Sequence, residues 1–140
     1  MPDLNLIERV IALEAVELFQ SLTPEQLSRI AAIAKEVTFP PGKVILEPGQ
    51  PMEELYVILD GAVEISRNTE LIHTAGQNQV LGAWALFDSE PMPVSAKAKD
   101  DVRLLKIGRD DFYDLLGDNM QITASIFAVI VKRFRKLVEG

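Results

Sequence analysis

The order of residues predicts a mainly β fold flanked by helices, and three observations carry that prediction. Apolar residues recur at helical spacing at both ends of the chain. Between them, short β-prone runs follow one another at roughly 8–12-residue intervals, each ended by a glycine or proline turn, as in a sandwich or barrel. The chain has 140 residues, 48% of them apolar and 25% charged, enough for one globular domain with its own core.

In the first third, Leu6, Val10 and Leu13, with Ile7 and Ile11 beside them, form a helical pattern. A second helix opens at Thr23-Pro24-Glu25-Gln26: Thr23 can cap the exposed amides, Pro24 suits the first helical position and Gln26 can close a capping box. Leu27, Ile30, Ala31 and Ala34 then line one face. Near Phe39 the period changes to that of strands. Pro40 to Gly42 is turn chemistry, KVILEPGQ a short run ended by Pro48-Gly49, ELYVILDG a second run, and AVEISR alternates Val63 and Ile65 with polar neighbours. NTELIHTAG supplies a turn and a further strand, and VSAKAKDDVRLLKI holds two strands around Asp100-Asp101.

Helix returns at Arg109, with Asp110 and Asp111 in the first turn, where negative charge meets the positive end of the helix dipole. Gly117-Asp118-Asn119 should break this helix and cap the next. The last helix has more apolar residues than one packed stripe needs, from Ile122 to Val138; the surplus is a candidate surface for a protein partner or a second copy. The expected division of the single unit 1–140 is N-terminal helices over 1–38, a β-roll over 39–107 and two C-terminal helices over 109–138.

Composition excludes several functions. Without cysteine there is no disulfide, thiolate metal site or cysteine nucleophile. Fourteen basic against 21 acidic residues give a net charge of −7, which repels phosphate backbones. The basic run Lys132 to Lys136 lies at a helix C-terminus, where it complements the dipole. No apolar run approaches the ~20 residues of a membrane span, and no secretory signal is visible, so a cytoplasmic location is expected. The one histidine, His73, reads as an ordinary strand residue and argues against a cupin-like metal enzyme, which needs several. Acidic pairs stand at turns and a helix start. The expectation is no enzyme, no metal and no cofactor.

A more specific pattern is the spacing of Gly42, Gly49, Tyr56, Gly61 and Gly82 through GKVILEPGQPMEELYVILDGAVEI and QVLGAWALF. Each glycine marks a corner or a close backbone approach. This constellation, from about Leu18 to Leu137, resembles the cyclic-nucleotide-binding domain family of bacterial transcription activators, protein-kinase regulatory subunits and cyclic-nucleotide-gated channels. The resemblance implies a jelly-roll β-barrel (double-stranded β-helix) of about eight short strands whose interior holds cAMP or cGMP. The ligand rests on a phosphate-binding cassette that reads like G-E-x-A-L, four residues, then P-R-A-A-T.

Residues 82–95 fall on that frame: Gly82 matches the glycine, Ala85 and Leu86 the A-L, and Pro91 the proline. Ala83 stands where the glutamate should be, Met92 at the arginine, Pro93 just after it and Ser95 at the threonine. By the resemblance, the arginine would pair with the cyclic phosphate, the glutamate would accept from the ribose 2′-OH and the next residue would donate its amide. Met92 offers a weak thioether, Ala83 no acceptor and Pro93 no N–H. Asp88, Ser89 and Glu90 add negative charge at the tip. Trp84 reads first as a core anchor and second as a side chain that fills the pocket or stacks on a ligand. Just upstream, Asn78 replaces a glycine of the family's pattern, a mild exchange because asparagine tolerates positive φ.

These residues define the candidate ligand site (Gly82, Ala83, Trp84, Ala85, Leu86, Met92, Pro93, Ser95) and an expectation about it. The chain is a regulatory domain with a degenerate cassette, unable to bind cAMP or cGMP in the usual way, that acts through a partner or a homodimer of the C-terminal helices. The rival is a receptor for an uncharged, apolar molecule or an atypical cyclic nucleotide. A helix-turn-helix has no room before Gly140, so no nucleic-acid partner is expected. Similar domains serve as appendages of larger proteins, and the opening helix resembles the lead-in seen there.

Overall fold

The computed structural model describes residues 4–83, 86–87, 91 and 93–139. Helix α1 (Leu6–Leu13) starts at a capping box in which Asn5 and Glu8 satisfy each other's amides. Of its apolar residues only Leu13 is buried, Val10 is half-buried, and Leu6, Ile7 and Ile11 face outward. A single 3-10 turn, Glu17–Phe19, precedes α2 (Pro24–Ile33). The Thr23–Gln26 capping box forms as expected, with Pro24 in the first helical turn. Arg9 of α1 donates to the Ala34 carbonyl at 2.7 Å and so fastens the two helices together.

The first strand corrects the expected boundary. β1 spans Lys35–Phe39, four of whose five residues fall in the stretch 1–38 assigned to helix, so the roll begins at 35 rather than 39. Helix ends at Ala34, whose backbone is already extended, and no glycine marks the stop. The alternation in KEVTF was hidden between a helix and a proline turn; it is fixed by antiparallel pairing with a strand almost seventy residues later, Lys35 opposite Lys106 and Phe39 opposite Val102.

The remaining strands are β2 (Val44–Leu46), β3 (Glu54–Asp60), β4 (Val63–Arg67), β5 (Glu70–Ala75), β6 (Val80–Leu81), β7 (Ser95–Ala98) and β8 (Val102–Gly108). Among the described residues the eight strands form two four-stranded antiparallel sheets, ordered β1-β8-β3-β6 and β2-β7-β4-β5. This is the jelly-roll arrangement the sequence predicts. Two cores follow from it. Tyr56 and Ile58 of β3, with Val102 and Leu104 of β8, point between the sheets toward Leu46, Val63 and Ala96. Leu55, Val57, Leu105 and Ile107 alternate to the other face and pack against Leu13, Phe19, Ile30, Phe112 and Ile122 of the helical flanks. A strand buried on both faces reads as a continuous apolar run, which is why ELYVILD lacks polar alternation.

Helix α3 (Arg109–Asp118) and helix α4 (Met120–Glu139) close the chain. Their break falls at Asn119 alone, not across Gly117 to Asn119, and bends the pair by 112°. The Asn119 side chain is held from both sides: it donates to the Leu115 carbonyl at 2.8 Å and accepts from Arg29. Neither helix by itself is long and apolar enough to cross a membrane.

On α4 the buried stripe is Ile122, Ile126 and Val129. The opposite face carries Met120, Ala124, Phe127, Val131, Phe134 and Val138, all exposed. Their spacing alternates four and three residues, the a/d repeat of a coiled-coil seam, with valines at two of the a positions.

Candidate functional site

A cavity of about 500 Å³ opens between the two sheets. Leu46 and Met52 wall one side, Ile65 of β4, Val94 just before β7 and Ala96 of β7 another, and Val80 and Leu81 of β6 lead to Gly82 and Ala83 at its edge. His73 and Ala75 of β5, Asn78 and Gln79 of the following loop, and Ala15 and Glu17 from the helical flank complete the lining.

Gly82 is where the backbone geometry is most demanding. Its φ is +73°, and a Cβ placed there would lie 2.7 Å from the Met52 sulfur and 2.8 Å from the Glu54 carbonyl oxygen. Only a residue without a side chain lets β6 run this close to the start of β3. The preceding loop is equally constrained. Asn78 adopts φ +68°, as expected of asparagine at a glycine position, and its amide donates to the Ile58 carbonyl at 2.8 Å. The Gln79 side chain accepts from the Gly76 amide at 2.7 Å. The rim next to the cavity is therefore held by hydrogen bonds rather than by side-chain packing alone.

The predicted site residues separate. Gly82 and half-buried Ala83 line the cavity. Leu86 is fully buried but belongs to the core beneath the helices. Pro93 is exposed at a bend. Ser95 is not a lining residue: its neighbours Val94 and Ala96 face the cavity, while its hydroxyl lies 3.5 Å from the Ser66 carbonyl, a long hydrogen bond to the adjacent strand. Trp84, Ala85 and Met92, like Asp88, Ser89 and Glu90, lie outside the described residues.

Sequence reasoning missed Met52, Ile65, Asn78, Gln79 and Glu17 as lining residues; His73, read as an ordinary strand residue, is exposed on β5 and also borders the cavity. They come from separate segments of the chain, which the strand pairing of the roll and the bonds of Asn78 and Gln79 to Ile58 bring together.

The electrostatics are one-sided. No lysine or arginine lines the cavity among the described residues; its one fixed charge is the Glu17 carboxylate, which pairs with Arg133 of α4 at 3.3 Å. The sequence has no basic residue anywhere from 81 to 96. The first that follows, Lys97, is exposed, pointing out of the roll with its stem above Gly42. Tyr56, on the wall between the sheets, donates to the Glu54 carboxylate at 2.8 Å; burial first, then that bond and charge, push its phenol well above the ordinary tyrosine range. No three histidine, aspartate or glutamate side chains among the described residues are placed to share a metal ion.

Two sheets rolled around an end-open cavity, with helices packed on one sheet, make a helix-flanked β-roll of the jelly-roll class. The comparisons with known proteins identify which one. The family model described as "Cyclic nucleotide-binding domain" matches residues 36–119, and the chain belongs to that family. It is 27% identical over 124 residues to a CRP-like cAMP-activated global transcriptional regulator of Mycobacterium tuberculosis, covering 85% of this chain and 55% of the regulator. A cAMP-dependent protein kinase regulatory subunit of Emericella nidulans is 34% identical over 107 residues, 75% of this chain and 26% of the subunit. The chain thus spans about half or less of these relatives. Among solved structures, the N-terminal domain of a transcriptional regulator from Streptomyces coelicolor A3(2) superposes with a TM-score of 0.85 at 26% identity, covering 92% of this chain and 96% of that one.

Proposed function

We propose that the chain, read as one domain over 1–140, is a regulatory module whose cyclic-nucleotide pocket keeps its frame but not its phosphate contacts, and which signals through α4. The observation that carries this reading is the absence of any cation in the described lining and in the whole sequence from 81 to 96. A hydrogen bond to a charged group contributes about 1.5–3 kcal/mol. Losing two or three, at Ala83, Met92 and Pro93, weakens binding by roughly 3–9 kcal/mol, or about two to six decades. The partner that fits α4 is a second copy of the chain, because the a/d repeat of its exposed face is self-complementary.

Calorimetric titration of cAMP and cGMP tests the pocket. The natural protein should be silent to about 1 mM, where binding free energy falls to roughly 4 kcal/mol. The variant Ala83→Glu/Met92→Arg/Pro93→Ala, which restores all three contacts, should bind. Tight binding by the unaltered protein would overturn the reading. The cavity of about 500 Å³ favours a second reading, a receptor for a molecule other than a cyclic nucleotide, since drug-sized ligands occupy cavities of about 300–1,000 Å³.

A further inference from the structure

Resting on the receptor reading of the same cavity, we infer that its ligand is an uncharged, mainly hydrocarbon molecule with few hydrogen-bonding groups, and that a fixed negative charge is selected against. Leu46, Ile65 and Ala96 of the β2-β7-β4-β5 sheet, with Met52 and Val94 from the adjoining loops, give the cavity an apolar wall of hydrocarbon and one thioether. Among its polar lining residues, His73 and Asn78 supply a ring nitrogen and an amide able to donate or accept. Among the described lining residues an anion finds no lysine or arginine. It would lose its hydration, and the one carboxylate there, Glu17, already pairs with Arg133 at 3.3 Å; an unpaired buried charge is far costlier than a buried neutral group. Lys97, the nearest cation in sequence, stands beside Gly42 on the outer surface.

A matched pair of dyes separates charge from shape: neutral N-phenyl-1-naphthylamine and anionic 8-anilino-1-naphthalenesulfonate share an arylamine body and differ by the sulfonate. The neutral dye should bind the whole chain at least about tenfold more tightly, a difference of about 1.4 kcal/mol. Ala96→Trp fills the cavity from a buried position and should reduce that binding about tenfold or more. Phe127→Glu, on the exposed face of α4, should leave it unchanged. Because Ala96→Trp can fail to fold, Ala83→Arg at the half-buried edge serves as the second variant; it should raise the affinity of the sulfonate about tenfold. Equal affinities for the two dyes, neutral-dye binding that survives Ala96→Trp but is lost in Phe127→Glu, or binding of neither dye overturns the inference. The cAMP titration separates the two failures: silence toward cAMP and both dyes removes only the ligand class, whereas tight cAMP binding removes the degenerate pocket itself.

Discussion

Phe127→Glu tests the second-copy surface most directly. Phe127 and Phe134 are 62% and 63% exposed. With roughly 200 Å² for a phenylalanine, each leaves about 120 Å² in water, and burying that area contributes about 3 kcal/mol at 25 cal/mol/Å². Two-fold symmetry repeats every substitution, so Phe127→Glu removes two rings, about 6 kcal/mol, and sets two carboxylates in the seam. Even if the seam covers only half of each exposed ring, dimerisation weakens by about two decades or more. Sedimentation velocity over a concentration series reads this directly: the natural chain should dimerise in the micromolar range, and Phe127→Glu should stay monomeric to several hundred micromolar. Ser125→Glu lies off the seam and should dimerise normally. A natural chain monomeric at several hundred micromolar, or a Phe127→Glu variant that still dimerises, refutes the reasoning and leaves this face to a different protein.

Two further outcomes follow from the site. Gly82→Ala must adopt φ near +73° and push back the Glu54 carbonyl; the left-handed backbone costs about 1–2 kcal/mol and the overpacking about 1–3 more. Urea unfolding should show a loss of about 2–5 kcal/mol, and a loss below about 1 would mean that β6 shifts freely. Tyr56 keeps its proton in the folded state to well above the pH at which the unfolded phenol, with a pKa of about 10, releases it. Above that pH the unfolded state binds fewer protons, so this residue's contribution to stability falls by about 1.4 kcal/mol per pH unit. Tyr56→Phe should remove that slope between about pH 10 and 11.5; an unchanged slope would assign it to other groups.

The fold was legible because its signals are local. Pro24 and the Thr23–Gln26 pair mark a helix start without reference to the rest of the chain, and the alternation of AVEISR marks a half-buried strand. β1 was not legible, because KEVTF becomes a strand only by pairing with β8. Ser95 shows the same limit on a finer scale. A linear frame places it at a contact position, but the pairing of β7 with β4, Ser95 opposite Ser66 and Ala96 opposite Ile65, decides which side chains face the cavity. The missing cations were legible for a different reason. A stretch without lysine or arginine lacks them in any conformation, so the electrostatic conclusion needs no topology.

Relative energies also decide which contacts join the cavity to α4. The direct link is the Glu17–Arg133 ion pair, at 3.3 Å, but its side chains are 56% and 45% exposed. Such pairs contribute at most about 1 kcal/mol and are screened by salt. The indirect link is a chain of rings. Phe87, five residues past Gly82, meets Phe112 of α3 edge-on at 5.8 Å, and Phe112 meets Phe19 at 6.0 Å. Phe112 and Phe19 are essentially inaccessible to water, and truncating a buried phenylalanine costs about 3–5 kcal/mol. Phe19 closes the Glu17–Phe19 turn, whose first residue lines the cavity and reaches α4. The packed rings therefore hold the segment after Gly82 to the helical flank more firmly than the exposed ion pair does.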